Sequence, residues 1–135
     1  MKRRFLLGYQ MLTGFSDTAT GLMLIFAPAA TMRLMRLQVS SDALPLLSYI
    51  GAFVLSVGIA CFYGAFLVTR MAAQKLEVVW LLTGVTRACV AIFIVAKLLT
   101  GVLDTGWASV ALTDGAFAIL QATGLSKGWL TNATN

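Results

Sequence analysis

The sequence has no histidine and few charged residues, and each shortage excludes a class of protein. Zinc, haem and general-base sites that need imidazole cannot form without histidine. Charged residues make up 11% and hydrophobic residues 59% of the 135 residues, whereas soluble globular domains carry about 25% charged residues. So few charges cannot cover a water-soluble monomer, and a disordered chain has the opposite composition. The sequence therefore predicts a single integral membrane domain over residues 1–135.

Cysteine is scarce as well. Cys61 and Cys89 both lie in apolar runs and form no CxxC pair, so no thiol redox motif is present. No pattern identifies a cofactor or a metal site. The net charge is +5, but the basic residues lie at the ends of apolar runs, which indicates lipid headgroups rather than nucleic acid as their partner.

Four apolar segments have the length of about 20 residues that a transmembrane helix needs. They predict helices at about residues 5–27, 44–69, 77–100 and 107–125. Pro28 and Gly101 follow the first and third segments as helix stops. The predicted fold is an all-α, four-helix integral membrane bundle.

Basic residues near the helix ends predict the orientation. Three of them lie on one side of the predicted membrane, namely Arg33, Arg36 and Lys97. The other six lie on the opposite side, namely Lys2, Arg3, Arg4, Arg70, Lys75 and Lys127. This asymmetry places both termini in the cytoplasm, and the predicted location is the inner membrane of a bacterium. Trp80 and Trp129 are then expected at the inner interface and Trp107 at the outer one.

The first connection, residues 28–43, is the longest. Met32, Met35 and Val39 fall on one face at helical spacing, which favours a short helix lying in the membrane interface. The alternative is a linking loop whose apolar residues pack on the mouth of the bundle.

Three charged residues lie deep within the predicted helices, away from their ends, where a charge costs about 2.5 to 3.5 kcal/mol on insertion scales. At about 1.5 Å per residue, Asp17 lies about 18 Å and Arg87 about 15 Å from the cytoplasmic edge. Asp114 lies about 20 Å from the same edge of a core about 30 Å thick. Because three different helices bring these residues to a similar depth, we expect them to form one cluster.

A second polar layer is predicted nearer the cytoplasm. Gln10 shares a helix face with Asp17, Thr83 with Arg87, and Gln121 with Asp114. Gln10 and Gln121 also come out at similar depths. We therefore name Asp17, Arg87 and Asp114 as candidate catalytic residues and Gln10, Thr83 and Gln121 as candidate ligand-binding residues.

The charges of the cluster bear on its role. Two aspartates and one arginine sum to −1, and arginine stays charged. A dry interior disfavours this charge, so we expect a proton on one carboxyl group or a bound cation. Three interpretations stay open: a structural clamp between helices, a ligand or substrate site, and a path for protons or ions.

Small residues mark a face of the second predicted helix. Gly51 and Gly58 are seven residues apart, and Ala60 and Gly64 form a small-xxx-small pair. Such faces let helices pack closely. The sequence leaves open whether this face meets a helix of the same chain or another subunit.

The order of several features resembles the DoxX-like superfamily of small bacterial four-helix membrane proteins. These features are the stretch from Gly14 to Gly21, then Phe26-Ala27-Pro28, the segment from Met32 to Leu37, Gly51 and Gly58, Arg87, and Asp114-Gly115. Some members are subunits of quinone-linked oxidoreductase complexes, so the resemblance implies a partner-subunit role. It transfers no catalytic residue.

The first predicted function is that of an accessory subunit of a larger membrane complex, with other membrane subunits or a second copy of the chain as partners. The alternative is a membrane-embedded enzyme that uses Asp17, Arg87 and Asp114 for acid–base chemistry on a lipophilic small molecule, as in epoxide opening, cyclisation or isomerisation. A second alternative is a small proton-coupled transporter. The sequence does not decide whether the protein is an enzyme.

Overall fold

A computed structural model describes residues 3–134, and side chains over residues 3–131. All the regular structure in this range is helical. The elements are α1 (Arg3–Phe26), α2 (Pro28–Leu34), α3 (Leu44–Thr69), α4 (Ala73–Leu99), α5 (Ala108–Ser126) and α6 (Trp129–Thr134). Single 3-10 turns precede α3 and α5, at Ser41–Ala43 and Thr105–Trp107. The all-α prediction is confirmed.

Three helical segments are long and apolar enough to cross a membrane: Ser41–Thr69, Ala73–Leu99 and Thr105–Ser126. These helices indicate an integral membrane protein. The first helix has 24 residues but is not in this set, since Gln10, Asp17 and several threonines lower its mean hydropathy. Its polar content is concentrated on the face that contacts the other helices, where Gln10 and Thr13 are buried.

The helix boundaries agree with the predictions to within one or two residues except at α4. That helix begins at Ala73 rather than at residue 77, because Gln74, Lys75 and Glu77 are polar but tolerated in a first helical turn. Sequence analysis also missed α6, which is only six residues long and begins after Gly128 with its positive φ of 61°. Gly101, with φ of 71°, lies just beyond α4 as predicted. Lys2 of the orientation argument lies outside the described residues.

Helices α1 and α3 form a close seam through glycine. A Cβ atom at Gly58 would lie 2.6 Å from the backbone nitrogen of Thr18, and one at Gly21 would lie 2.6 Å from that of Leu55. A Cβ atom at Gly51 would lie 2.9 Å from the carbonyl oxygen of Gly21. Only glycine permits such a close approach of two backbones. The small-residue face of α3 therefore meets a helix of the same chain.

Two apolar clusters lie at opposite ends of the helix assembly. The proximal end, where α1 and α4 begin, holds a cluster built from Leu6, Tyr9, Leu67, Val68, Leu76, Trp80 and Leu130. Trp80 is expected at the membrane interface from the sequence, but its side chain is fully buried in this cluster and does not face lipid headgroups. Leu130 of α6 is fully buried in the same cluster, so α6 covers the proximal end.

The distal cluster contains Leu24, Met32, Leu37 and Leu47, with Met35, Val39 and Trp107 packed against it. The predicted short helix in the first connection is present as α2 but ends at Leu34, before Met35 and Val39. Arg36 follows with a positive φ of 59°, which turns the chain away from the helix. Met32 is buried on the distal end, so the connection also packs on the mouth of the assembly.

The four long helices are not packed equally around the assembly. Helix α1 packs on α3, α3 on α4, and α4 on α5, while α1 and α5 do not pack extensively on each other anywhere along their described lengths. At the proximal end they meet through the rings of Tyr9 and Phe117, whose centroids are 5.8 Å apart. We call this sparsely packed side, between α1 and α5, the open side of the assembly.

Candidate functional site

One guanidinium group joins three helices at the middle of the assembly. Nη1 of Arg87 on α4 donates a hydrogen bond of 2.6 Å to Oδ1 of Asp114 on α5. Its Nη2 donates to Oδ2 of Asp17 on α1 and forms an ion pair with it. The structure thus brings together the three candidate catalytic residues that the depth argument placed at one level.

The arginine and the two carboxylates differ in how deeply they are buried and in how many of their polar atoms take part in this contact. The Arg87 side chain is 5% exposed, whereas those of Asp17 and Asp114 are 16% and 17% exposed. The bonds to Arg87 use one oxygen of each carboxylate. The other oxygen of each can still accept a hydrogen bond or carry a proton. Arg87 is therefore a buried bridge, and the two aspartates are its accessible ends.

Aromatic rings lie against the cluster on its proximal side. The guanidinium carbon of Arg87 lies 5.1 Å from the centroid of the Phe117 ring, a cation–π distance. The Tyr9 ring contacts both Phe117 and Trp80, with centroids 5.8 Å and 5.3 Å apart. These rings lie between the cluster and the proximal end.

The structure brings the second predicted layer into the interior but does not join it directly. Nε2 of Gln121 donates a 2.8 Å hydrogen bond to Oγ1 of Thr83, which links α5 to α4. Gln10 instead points towards α3, where the absence of a side chain at Gly64 makes room for its amide. All three side chains are buried. The layer thus consists of an α4–α5 pair and a separate amide between α1 and α3.

Sequence analysis missed Tyr9, Phe117 and Trp80 as parts of the site. Phe117 lies three residues after Asp114 and Trp80 lies seven before Arg87, so both share a face with a charged residue, and that spacing could have identified them. Cys61 on α3 is buried as well.

Two surface cavities lie away from the cluster. One, of about 430 Å³, is at the distal end and is lined by Met32, Arg33, Leu37 and Leu44 among others. The other, of about 320 Å³, lies at the connection between α3 and α4, at residues 71–75. Neither cavity is lined by Asp17, Arg87 or Asp114.

Comparison with protein-family models, with curated proteins and with solved structures finds no match to this chain. The assignment of a function therefore rests on the geometry of the site.

Proposed function

We propose that this chain is a four-helix membrane protein that binds a lipophilic molecule between α1 and α5 and exchanges a proton with its polar end. In this proposal α1 is the fourth spanning helix. The glycine seam supports this, because α1 follows α3 from Gln10 at Gly64 to Leu24 at Gly51, which brings it to the same depth range as a helix that is long and apolar enough to span the membrane.

The observation that carries the proposal is that the three charged groups differ in burial and in how completely they are hydrogen-bonded. A purely structural clamp favours full burial and full pairing of every member, because a half-satisfied polar group in an apolar interior is costly. Here Arg87 is buried, while Asp17 and Asp114 each keep a partly exposed carboxylate with one oxygen outside the Arg87 bonds. Both lie on the two helices that border the open side.

The proposed chemistry follows from the charge of the cluster. Two carboxylates and one guanidinium sum to −1, and a single proton on one carboxyl group makes the cluster neutral. That carboxylic acid donates its proton to an oxygen of the bound molecule. The other carboxylate accepts a different proton from the same bound molecule. Arg87 fixes both carboxylates and keeps its charge throughout. Epoxide opening, cyclisation and isomerisation are reactions of this type.

The experiment is native mass spectrometry of the protein extracted from its membrane in mild detergent. A reproducible small-molecule adduct is expected on the wild-type chain and is expected to be lost in Asp17→Asn and Asp114→Asn. Asp104→Asn is the matched control, because Asp104 is an exposed aspartate just before α5. An adduct that survives in both cluster variants, or no adduct at all, contradicts the proposal.

The accessory-subunit prediction stays a prediction, with less support than the sequence offered it. It relied on a small-residue face for helix contacts, and Gly51 and Gly58 on that face now contact α1. The same mass spectra test it, since an accessory subunit carries other protein chains after gentle extraction. Membership of the DoxX-like superfamily, a bacterial inner-membrane location and cytoplasmic termini also remain proposals.

A further inference from the structure

Several buried polar atoms on the proximal side of the charged cluster have no hydrogen-bond partner among the described residues. They are the Tyr9 hydroxyl, both amide atoms of Gln10, Nε1 of Trp80, Nε of Arg87 and Oε1 of Gln121. Their side chains are at least nine-tenths buried. Unpaired polar groups in an apolar interior each cost about 1 to 3 kcal/mol, and native proteins usually satisfy them with ordered water.

Ring contacts link Trp80 and Tyr9 to the charged cluster. Trp80 contacts Tyr9, with ring centroids 5.3 Å apart. The Tyr9 ring also contacts Phe117, with centroids 5.8 Å apart, and the centroid of the Phe117 ring lies 5.1 Å from the guanidinium carbon of Arg87. The set contains N–H and O–H donors together with the amide oxygens of Gln10 and Gln121 as acceptors. A water molecule needs two to four such partners, and this set provides them on α1, α4 and α5.

We propose that Tyr9, Gln10, Trp80 and Gln121 hold a small cluster of internal water molecules that carries protons between the proximal end and the Asp17–Arg87–Asp114 cluster. Gln10 and Gln121 lie seven residues from Asp17 and Asp114 respectively, a distance of about 10 Å along a helix. The Tyr9 hydroxyl can act as both donor and acceptor. The inference deepens the proposed function, on which it rests, by naming the source of the exchanged proton.

Hydroxyl-radical footprinting with X-ray pulses tests for the water, because radicals form at bound water and oxidise the adjacent side chains. The protein is placed in lipid nanodiscs, and the oxidation rate of each residue is divided by its rate in the unfolded chain. Tyr9 and Trp80 are expected to be oxidised several-fold faster on this scale than Leu6 and Leu76, which are equally buried in the same apolar cluster. Equal protection of all four residues overturns the proposal.

Two variants test the route itself. Gln121→Leu and Gln10→Leu remove acceptors at different places and are expected to lower the oxidation of Tyr9 and Trp80 several-fold. Both variants are also expected to slow hydrogen–deuterium exchange of the protonated carboxyl group of the charged cluster. Infrared spectroscopy measures the rate of this exchange. Thr86→Val is the matched control, since Thr86 is exposed and bonds only within its own helix, to the carbonyl oxygen of Leu82. Unchanged exchange in a folded glutamine variant overturns the route.

The outcome is separable from that of the proposed function. Footprinting and isotope exchange require no bound lipophilic molecule, whereas the proposed function is tested by loss of an adduct in the aspartate variants. Oxidation of Tyr9 and Trp80 without any adduct supports the water and contradicts the ligand. An adduct with fully protected Tyr9 and Trp80 contradicts the water alone.

Discussion

The two sides of α1 are held to their neighbouring helices by different interactions. On the side of α3, glycine residues bring the two backbones into contact, as at Gly58 and Thr18. On the side of α5 the helices stay apart, and Arg87 connects Asp17 to Asp114 across the space between them. The first side depends on dispersion and close packing, and the second on a charge-assisted bridge. Close packing leaves no room for a ligand, whereas a bridge between separated helices leaves its ends accessible.

Removing Arg87, which bridges α1 and α5, is expected to have the largest effect on stability. Arg87→Met leaves two carboxylates without a counter-charge, and breaking a buried ion pair typically costs about 3 to 5 kcal/mol of unfolding free energy. Unfolding by SDS titration in mixed micelles measures the loss. Arg70→Met is the control, because Arg70 is exposed and its guanidinium carbon lies 5.1 Å from the centroid of the Phe66 ring. Its expected cost is about 0.5 to 1 kcal/mol.

A triple variant separates lost charge balance from lost packing. Arg87→Met combined with Asp17→Asn and Asp114→Asn removes all three charges. If the loss arises from unpaired carboxylates, much of it is recovered in this variant. Failure to recover any stability shows that Arg87 acts through packing against Phe117 rather than through its charge.

The glycine seam is the next largest expected effect. Gly58→Ala places a methyl group 2.6 Å from the backbone nitrogen of Thr18, so α1 must move away from α3, and overpacking of this kind costs about 1 to 3 kcal/mol. Gly8→Ala is the matched control because nothing lies within 4 Å of its Cβ position. It is expected to be neutral or to stabilise α1 by up to about 1 kcal/mol. Equal effects of the two substitutions in the same titration would refute the close seam.

Neutralising one aspartate at a time sharpens the distinction between clamp and site. Asp17→Asn and Asp114→Asn each leave one carboxylate paired with Arg87 and make the cluster neutral without a proton. Each is expected to change the unfolding free energy by less than about 1.7 kcal/mol, the upper end for polar contacts between membrane helices. Both nevertheless abolish the proposed proton exchange. A loss as large as that of Arg87→Met means that each carboxylate is needed as a clamp.

The smallest expected effect concerns the hydrogen bond of the second layer. Thr83→Val removes the acceptor of the Gln121 amide and should cost about 0.6 kcal/mol, the average for such bonds in membranes. Thr86→Val on the same helix removes no interhelical bond and should leave the unfolding free energy unchanged. A difference between the two variants close to zero indicates that water replaces the lost partner.

Helical periodicity and depth predicted which charged residues meet. Asp17, Arg87 and Asp114 are isolated charges in long apolar runs, and the free-energy cost of a charge in the bilayer identifies them as unusual. Their positions along straight helices give their depth in the membrane. The same reasoning placed Gln10 and Gln121 at one depth but did not predict whether their side chains meet. Depth says nothing about the direction in which a side chain points, and Gln10 points towards Gly64.

The sequence by itself determined the membrane class, the helical fold and the residues that carry charge into the interior, because hydropathy and helical rise are local properties. Only the tertiary structure decided that the glycine face of α3 meets α1, that Trp80 is buried rather than interfacial, and that α1 and α5 remain apart. These features depend on the rotation of each helix about its axis and on the choice of its neighbours. Both are set by contacts between residues far apart in the chain, as with Asp17 and Arg87, whose sequence separation is 70.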